Sequence, residues 1–123
     1  MPTARSTLGT QGEILAAKHL QSLGYEIIER NYRSQFGEID IVASQNGDLV
    51  FVEVKTRRNA KFGYPSESVN LKKQQKIIRT AQHYLVERCL DEVCCRFEIA
   101  EVYLMAGQPA RIEIIQNAFC DGK

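Results

Sequence analysis

The dipeptide Asn46-Gly47 constrains the fold of this chain more than any other feature of its sequence. It separates two runs that are rich in strand-forming residues, 38–44 and 48–55. A two-residue type I′ turn needs positive φ at both central positions, and Asn-Gly satisfies this requirement best. The sequence therefore predicts a β-hairpin whose register can be counted outward from the turn.

Directly opposed positions in this hairpin have residue numbers that sum to 93, which predicts Asp40 opposite Glu53. The same count places Glu38 opposite Lys55. Opposed residues share a sheet face, and so do positions two apart along a strand. One face is therefore expected to carry Glu38, Asp40, Val42, Phe51, Glu53 and Lys55, and the other face Ile39, Ile41, Ala43, Val50, Val52 and Val54.

The predicted pair of carboxylates indicates a cation site. Cβ atoms of directly opposed residues lie about 4.5–5.5 Å apart, where like charges repel unless a cation neutralises them. An Asp and a Glu from adjacent strands suit Mg²⁺, which takes oxygen ligands and keeps several waters. Lys55 could orient a water or a phosphate oxygen beside the metal. The alternative is a solvated ion network in which Lys55 screens Asp40 and Glu53, although the aliphatic neighbours indicate a covered strand pair where charge is costly.

Glu13 is a third candidate carboxylate. It lies within a predicted helix over 11–23, on the same stripe as Ala16, Ala17 and Leu20. This position would direct its side chain inward, towards the sheet that the helix covers. A glutamate in the first turn of a helix is also favoured by the helix dipole, and the sequence leaves both interpretations open.

The other elements predict an α/β fold with a mixed central β-sheet flanked by helices. Strand-forming residues and apolar periodicity place the elements in the order αβββαββ, which favours this class over all-helical or all-antiparallel folds. Besides the first helix and the hairpin, the predicted elements are a strand over 25–30, a loop over 56–68, a helix over 71–88, and strands over 96–105 and 111–115.

Length and composition predict a single domain. The 123 residues and a charged fraction of 25% are typical of one globular unit, expected over 9–120 after a flexible N-terminus over 1–8. The chain has neither the apolar stretch of a signal peptide nor a run of about 18 apolar residues, so we expect a cytoplasmic protein that does not enter a membrane. The four cysteines form no CxxC pair, and no zinc site is predicted.

Positive charge is concentrated in one window of the chain. Residues 55–79 contain eight lysines and arginines against one glutamate, a net charge of +7, whereas the whole chain carries +1. This asymmetry indicates a surface that faces phosphates, and solvated lysines on a helix are the alternative. The candidate nucleic-acid contacts in this window are Arg57, Arg58, Lys61, Lys72, Lys73 and Lys76.

The hairpin motif also resembles a known nuclease motif. Asp40 followed by Glu53-Val54-Lys55 is similar to the PD-(D/E)xK motif of restriction endonucleases and archaeal Holliday junction resolvases. Longer strings are more specific, and together they resemble the YraN-like family over nearly the whole chain. These strings are GxxGE at 9–13, NYRSQFGEIDIV from Asn31, LVFVEVKTR from Leu49, FGYP from Phe62, and NAF from Asn117.

This resemblance implies a restriction-endonuclease-like core and a metal site within it. It implies Mg²⁺, or Mn²⁺, bound by Asp40, Glu53 and the backbone carbonyl of Val54. Glu13 would help through a water, and Lys55 would position the attacking water. The chain departs from the motif at Ile39, where a proline is usual, and from the family at Glu98, where an aspartate is usual, which leaves the role of Glu98 open.

The function implied is a metal-dependent nuclease that hydrolyses phosphodiester bonds of nucleic acid, with branched or structured DNA as the expected substrate. By analogy with junction resolvases, a homodimer is expected. The main alternative is a nucleic-acid-binding or assembly module that keeps the nuclease scaffold without cleaving. A third interpretation is a domain that binds small molecules or proteins and carries an incidental charge cluster.

Overall fold

A computed structural model describes residues 4–58, 70–90 and 92–119 of the chain. The predicted order αβββαββ is confirmed. In these segments neither helix is long and apolar enough to cross a lipid bilayer. The elements are α1 (Ala4–Ser22), β1 (Glu26–Ser34), β2 (Gly37–Gln45), β3 (Asp48–Arg57), α2 (Leu71–Glu87), β4 (Cys95–Tyr103) and β5 (Arg111–Phe119).

The five strands form one mixed sheet in the order β1-β2-β3-β4-β5. Strands β3 and β4 are parallel, and the other neighbouring pairs are antiparallel. A parallel pair needs a crossover connection, and α2 lies in the segment that connects β3 to β4. The predicted mixed sheet with flanking helices is therefore confirmed.

Each helix packs against one face of the sheet, so the protein has three layers. Strand residues alternate between the two faces, which produces two apolar clusters. The cluster under α2 contains Tyr32, Val42, Leu49, Phe51, Ile77, Ala81, Tyr84, Phe97 and Ile99, and the cluster under α1 contains Ala16, Ala17, Leu20, Tyr25, Ile41, Ala43, Val50, Val52, Ala100 and Val102.

Several elements are longer than the sequence predicts. Helix α1 begins at Ala4, whereas the sequence predicts a start at residue 11. The first turns were missed because they lack the apolar periodicity on which the prediction depends. Strand β1 extends to Ser34, although Asn31 was predicted to start a turn. Asn31 does take a positive φ (57°), but the strand continues after it, since Tyr32 pairs with Ile39. Most of the predicted loop over 56–68 lies outside the described residues.

The hairpin between β2 and β3 has the predicted turn and register. Asn46 and Gly47 both have positive φ, 53° and 84°, as a type I′ turn requires. Each residue pair from Gln45 and Asp48 to Ile41 and Val52 sums to 93. Register is therefore fixed by the turn, as the sequence predicts.

The pairing of β2 with β3 ends immediately before the predicted pair of Asp40 and Glu53. In the described residues the β2–β3 ladder ends at Ile41 and Val52, and from there β2 follows β1 while β3 follows β4. We call this separation of β2 from β3 the fork. The predicted direct pairing of Asp40 with Glu53, and that of Glu38 with Lys55, is therefore wrong.

The predicted alternation of faces also fails at the fork. Ile39 was expected to share a face with Ile41, but it packs in the α2 cluster with Val42 and Phe51. Ile41 packs in the α1 cluster. Because β2 no longer follows β3 beyond Ile41, the alternation counted from the turn does not extend to Ile39.

Candidate active site

Asp40 lies at the fork. There its side chain, and not the backbone of β2, accepts the hydrogen bond from the Val54 N–H. Its Oδ2 atom accepts a hydrogen bond of 2.8 Å from the backbone N–H of Val54. The residue is only 9% exposed. Burial raises the pKa of this carboxyl to about 7, and the negative charge of Glu53 adds to the rise, while the hydrogen bond from Val54 opposes it. Asp40 is thus a buried acid that is costly to ionise without a nearby cation.

Glu53 is held by two lysines on the α2 side of β3. Its Oε1 atom lies 3.1 Å from Nζ of Lys73 and 3.6 Å from Nζ of Lys55. Burial and the neighbouring Lys73 lower the pKa of Lys55. For Lys73, contacts with Lys55 and Glu53 outweigh burial and raise the pKa. Lys55 therefore gives up its proton more readily than an exposed lysine does, and Lys73 keeps its charge.

Glu13 points from α1 towards the same place. Its Oε1 atom is buried and makes no hydrogen bond to the described residues. The nearest atom of Arg30 is 3.9 Å away, which is too long for a hydrogen bond. Burial raises the pKa of Glu13, and Arg30 offsets part of this effect. Because α1 begins at Ala4, Glu13 is not in the first turn, and the helix-dipole interpretation is wrong.

A close approach between α1 and β3 sets the position of Glu13. Gly12 is buried, and a Cβ atom placed on it would overlap Oγ1 of Thr56. Only a residue without a side chain allows the helix to lie this near the strand. A Cβ atom placed on Gly9 would meet open space, so the close contact is specific to Gly12. The GxxGE string therefore brings the Glu13 carboxylate close to the fork.

These groups surround one cleft with a volume of about 470 Å³. A smaller cavity of about 190 Å³ on the α2 side shares Glu38, Asp40 and Glu53 with it and adds Lys73 and Lys76. All five residues that the sequence assigned to catalysis or metal binding thus come together. The cleft is lined by Gly9, Glu13, Glu38, Asp40, Glu53, Val54, Lys55 and Thr56.

The donors present are those that a hard divalent cation prefers. In the described segments no three His, Cys, Asp or Glu side chains are arranged as a ready metal-binding group. Mg²⁺ is usually bound through one or two carboxylates and several waters, so it does not need such a group. Asp40 and Glu53 supply two carboxylates, and the unpaired Glu13 oxygen can accept a hydrogen bond from a metal-bound water. The residues therefore fit Mg²⁺ or Mn²⁺.

The predicted nucleic-acid contacts that the structure describes lie in four different settings. Arg57 forms an ion pair of 3.0 Å with Glu101, which is fully buried. Arg58 is exposed, and Lys61 is outside the described residues. Lys73 is part of the site itself. Lys72 and Lys76 line another cleft beside α2, and Lys76 also lines the small cavity at the fork.

Glu98 has a structural role. It is fully buried on the α1 side, where its carboxylate accepts hydrogen bonds from Tyr25 (2.7 Å) and Arg96 (3.1 Å). Arg96 also donates to Asp48 and Gln45 beside the hairpin turn. Glu98 lines neither of the two cavities at the fork, so this network fixes β4 against the hairpin without entering the site.

Comparison with known proteins places the chain in a family. The family model described as uncharacterised protein family UPF0102 matches residues 12–115. This protein belongs to the UPF0102 family. The resemblance to the YraN-like family is thereby confirmed.

Relatives in the UPF0102 family are similar over almost their whole length. A UPF0102 protein from Clostridioides difficile is 48% identical over 111 residues, which cover 90% of this chain and 95% of the relative. One from Caldanaerobacter subterraneus is 46% identical over 117 residues, covering 94% and 96%. One from Syntrophotalea carbinolica is 45% identical over 119 residues, covering 97% and 96%. These names state the family and no activity.

Two charged residues of this UPF0102 chain were missed or misplaced by sequence reasoning. Lys73 was grouped with the phosphate contacts, although its Nζ is bound to Glu53. Glu101 was not considered, although it is fully buried and its Oε2 has no hydrogen-bond partner in the described residues. Lys73 and Lys76 are three positions apart on α2 and line the same small cavity, so helical spacing alone does not distinguish the lysine that pairs with Glu53.

Proposed function

We propose that this UPF0102 protein is a metal-dependent nuclease that hydrolyses phosphodiester bonds of nucleic acid. The observation that supports this most is the Asp40 carboxyl, buried beside Glu53 with its pKa raised to about 7. Strongly perturbed acids that line a cleft are characteristic of functional sites. A restriction-endonuclease-like core and a DNA substrate belong to the same proposal.

The carboxylates would hold the cation, and the backbone carbonyl of Val54 would complete the protein ligands. A bound Mg²⁺ or Mn²⁺ would polarise the phosphodiester and lower the pKa of a water. Asp40 is oriented for this role because its Oδ2 is fixed by the Val54 N–H. Glu13, whose Oε1 is buried and makes no hydrogen bond to the described residues, would orient a water at the edge of the site.

The two lysines have different roles in the proposed reaction. Lys55 lies beside Glu53 and can hold the attacking water towards the phosphorus by donating a hydrogen bond to its oxygen. Lys73 remains charged and can stabilise negative charge that builds up on the phosphate oxygens. Lys73 also fixes the Glu53 carboxylate, since their atoms are 3.1 Å apart.

The test is cleavage of labelled single-stranded, duplex and four-way-junction DNA, and of the matching RNA, with Mg²⁺, Mn²⁺ or EDTA. We expect cleavage that requires the metal and falls by about 100-fold or more in Asp40→Asn and Glu53→Gln. Glu26→Gln is the matched control, because Glu26 is exposed on β1 and lines neither cavity at the fork. Retained activity in both site variants, or equal activity in EDTA, would refute the assignment.

One observation favours the alternative of a module that binds without cleaving. Lys55 and Lys73 both form ion pairs with Glu53, as in a purely structural ion network. Such a module would bind the same nucleic acids and leave them intact at every metal concentration. Light scattering on the same samples tests the expected homodimer.

A further inference from the structure

A cleft of about 290 Å³ lies between the β1–β2 turn and α2, beside the candidate active site. Positions 72, 75, 76 and 79 follow helical spacing and therefore form one stripe along α2. Lys76 also lines the small cavity that contains Asp40 and Glu53. The two sites are thus contiguous. The cleft is lined by Gln35, Phe36, Lys72, Gln75, Lys76 and Arg79.

The three cations of this cleft form no ion pair with any acidic residue in the described part of the chain. Across the described ranges, no carboxylate lies within 4.0 Å of the charged nitrogens of Lys72, Lys76 or Arg79. Lys73 on the same helix differs, because it is paired with Glu53. A cleft whose lining has several cations and no acidic residue attracts a polyanion.

An aromatic ring stands among these cations in a fixed position. The Phe36 ring is partly exposed and packs edge-on against His83, with ring centroids 5.5 Å apart. The backbone N–H of Phe36 donates to Oγ of Ser34. At Gly37 a Cβ atom would lie 3.1 Å from Oγ1 of Thr80, so the turn lies closely against α2. The position of Phe36 is therefore fixed by the turn and its contact with α2, in addition to the packing of its ring on His83.

We propose that this cleft binds an unpaired nucleotide of the strand that enters the active site. Phe36 stacks on the base, and the cations contact the flanking phosphates. A base inside a duplex is stacked on its neighbours and cannot reach the ring, whereas an unpaired base presents a free π-face. The side-chain amides of Gln35 and Gln75 can donate hydrogen bonds to base edges and accept hydrogen bonds from them. An acidic peptide would not require these amides. The inference rests on the proposed function for its substrate class.

The experiment measures binding in EDTA, so that no cleavage occurs. Fluorescence anisotropy compares a labelled oligothymidine with a strand of equal length whose central positions are abasic, and an oligouridine arm distinguishes DNA from RNA. We expect the wild type to bind the base-bearing strand about tenfold more tightly than the abasic strand. Phe36→Leu keeps an apolar contact with His83 and is expected to bind both strands equally.

Charge variants provide an independent readout. Arg79→Gln is expected to weaken binding of both strands alike and to reduce the slope of log affinity against log salt by about 0.7. Lys18→Gln is the matched control, because Lys18 is exposed on α1, at the opposite face of the sheet, and should change neither quantity.

The outcomes separate this inference from the proposed function. Equal binding of the two strands by the wild type, or an unchanged preference in Phe36→Leu, would overturn the stacking site even if the protein cleaves. A base preference that Phe36→Leu removes would support the site even if no substrate is cleaved in the separate nuclease assay.

Discussion

Replacing Asp40 with asparagine is expected to stabilise the metal-free protein at neutral and alkaline pH. Asparagine is nearly isosteric, and its Oδ1 can accept the same hydrogen bond from the N–H of Val54. The substitution removes a negative charge that is 9% exposed and lies near Glu53 and Glu13. The variant should therefore gain stability, and it should lose the metal-dependent activity that we propose.

The size of the effect follows from the pKa of Asp40, which rises from 3.8 to about 7 on folding. The folded state binds this proton more tightly, so the contribution to stability is full below pH 4 and is lost as pH rises towards 7. At about 1.36 kcal/mol per pKa unit, the whole change is about 4 kcal/mol. Between pH 5 and pH 8 the wild type should lose roughly 2–3 kcal/mol relative to Asp40→Asn.

The assay is urea unfolding of both proteins in EDTA at several pH values from 5 to 8. Groups that titrate in both proteins cancel when the two free energies of unfolding are subtracted. Glu26→Gln removes one negative charge at an exposed position outside the cleft and is the control for the loss of a charge as such. A difference that stays constant with pH, or one that favours the wild type at pH 8, would refute the reasoning. Adding Mg²⁺ at pH 8 should stabilise the wild type more than Asp40→Asn.

Two further predictions concern packing and the buried network. Gly12→Ala should destabilise the protein by about 1–3 kcal/mol because its Cβ overlaps Thr56, whereas Gly9→Ala, which has open space, should stabilise α1 by about 0.5–1 kcal/mol. Equal gains in urea unfolding would contradict the close approach. Glu98→Ala should cost about 3 kcal/mol, since it removes a buried partner of Arg96, and Glu98→Gln should cost less. A loss below about 1 kcal/mol for Glu98→Ala would contradict the structural role.

Local rules made the hairpin predictable, and long-range packing decided where those rules stop. Asn46-Gly47 fixes the turn and hence the register as far as Ile41 and Val52. The fork depends on competition between ladders, because β1 and β4 each take one strand of the hairpin. That competition involves residues far away in the chain, so counting from the turn cannot reveal it.

The composition of the site was predictable, whereas its electrostatic partners were not. Glu13 could be assigned to an inward stripe because helical periodicity is a local property. Lys73 could be assigned to Glu53 only when the rotation of α2 relative to the sheet is known. Glu101 illustrates the same difficulty, since its burial depends on how β4 lies in the sheet and not on its neighbours in sequence.

The fork has a consequence for protein engineering. Substitutions chosen for stability alone would favour a hairpin in which every backbone amide has a backbone partner. Such a variant would return the Val54 N–H to a ladder bond and release Asp40 from the only hydrogen bond that orients it in the described structure. If the proposed function is correct, sequences selected for thermal stability without an activity screen should accumulate changes beside the fork and lose activity, a trade-off between stability and activity.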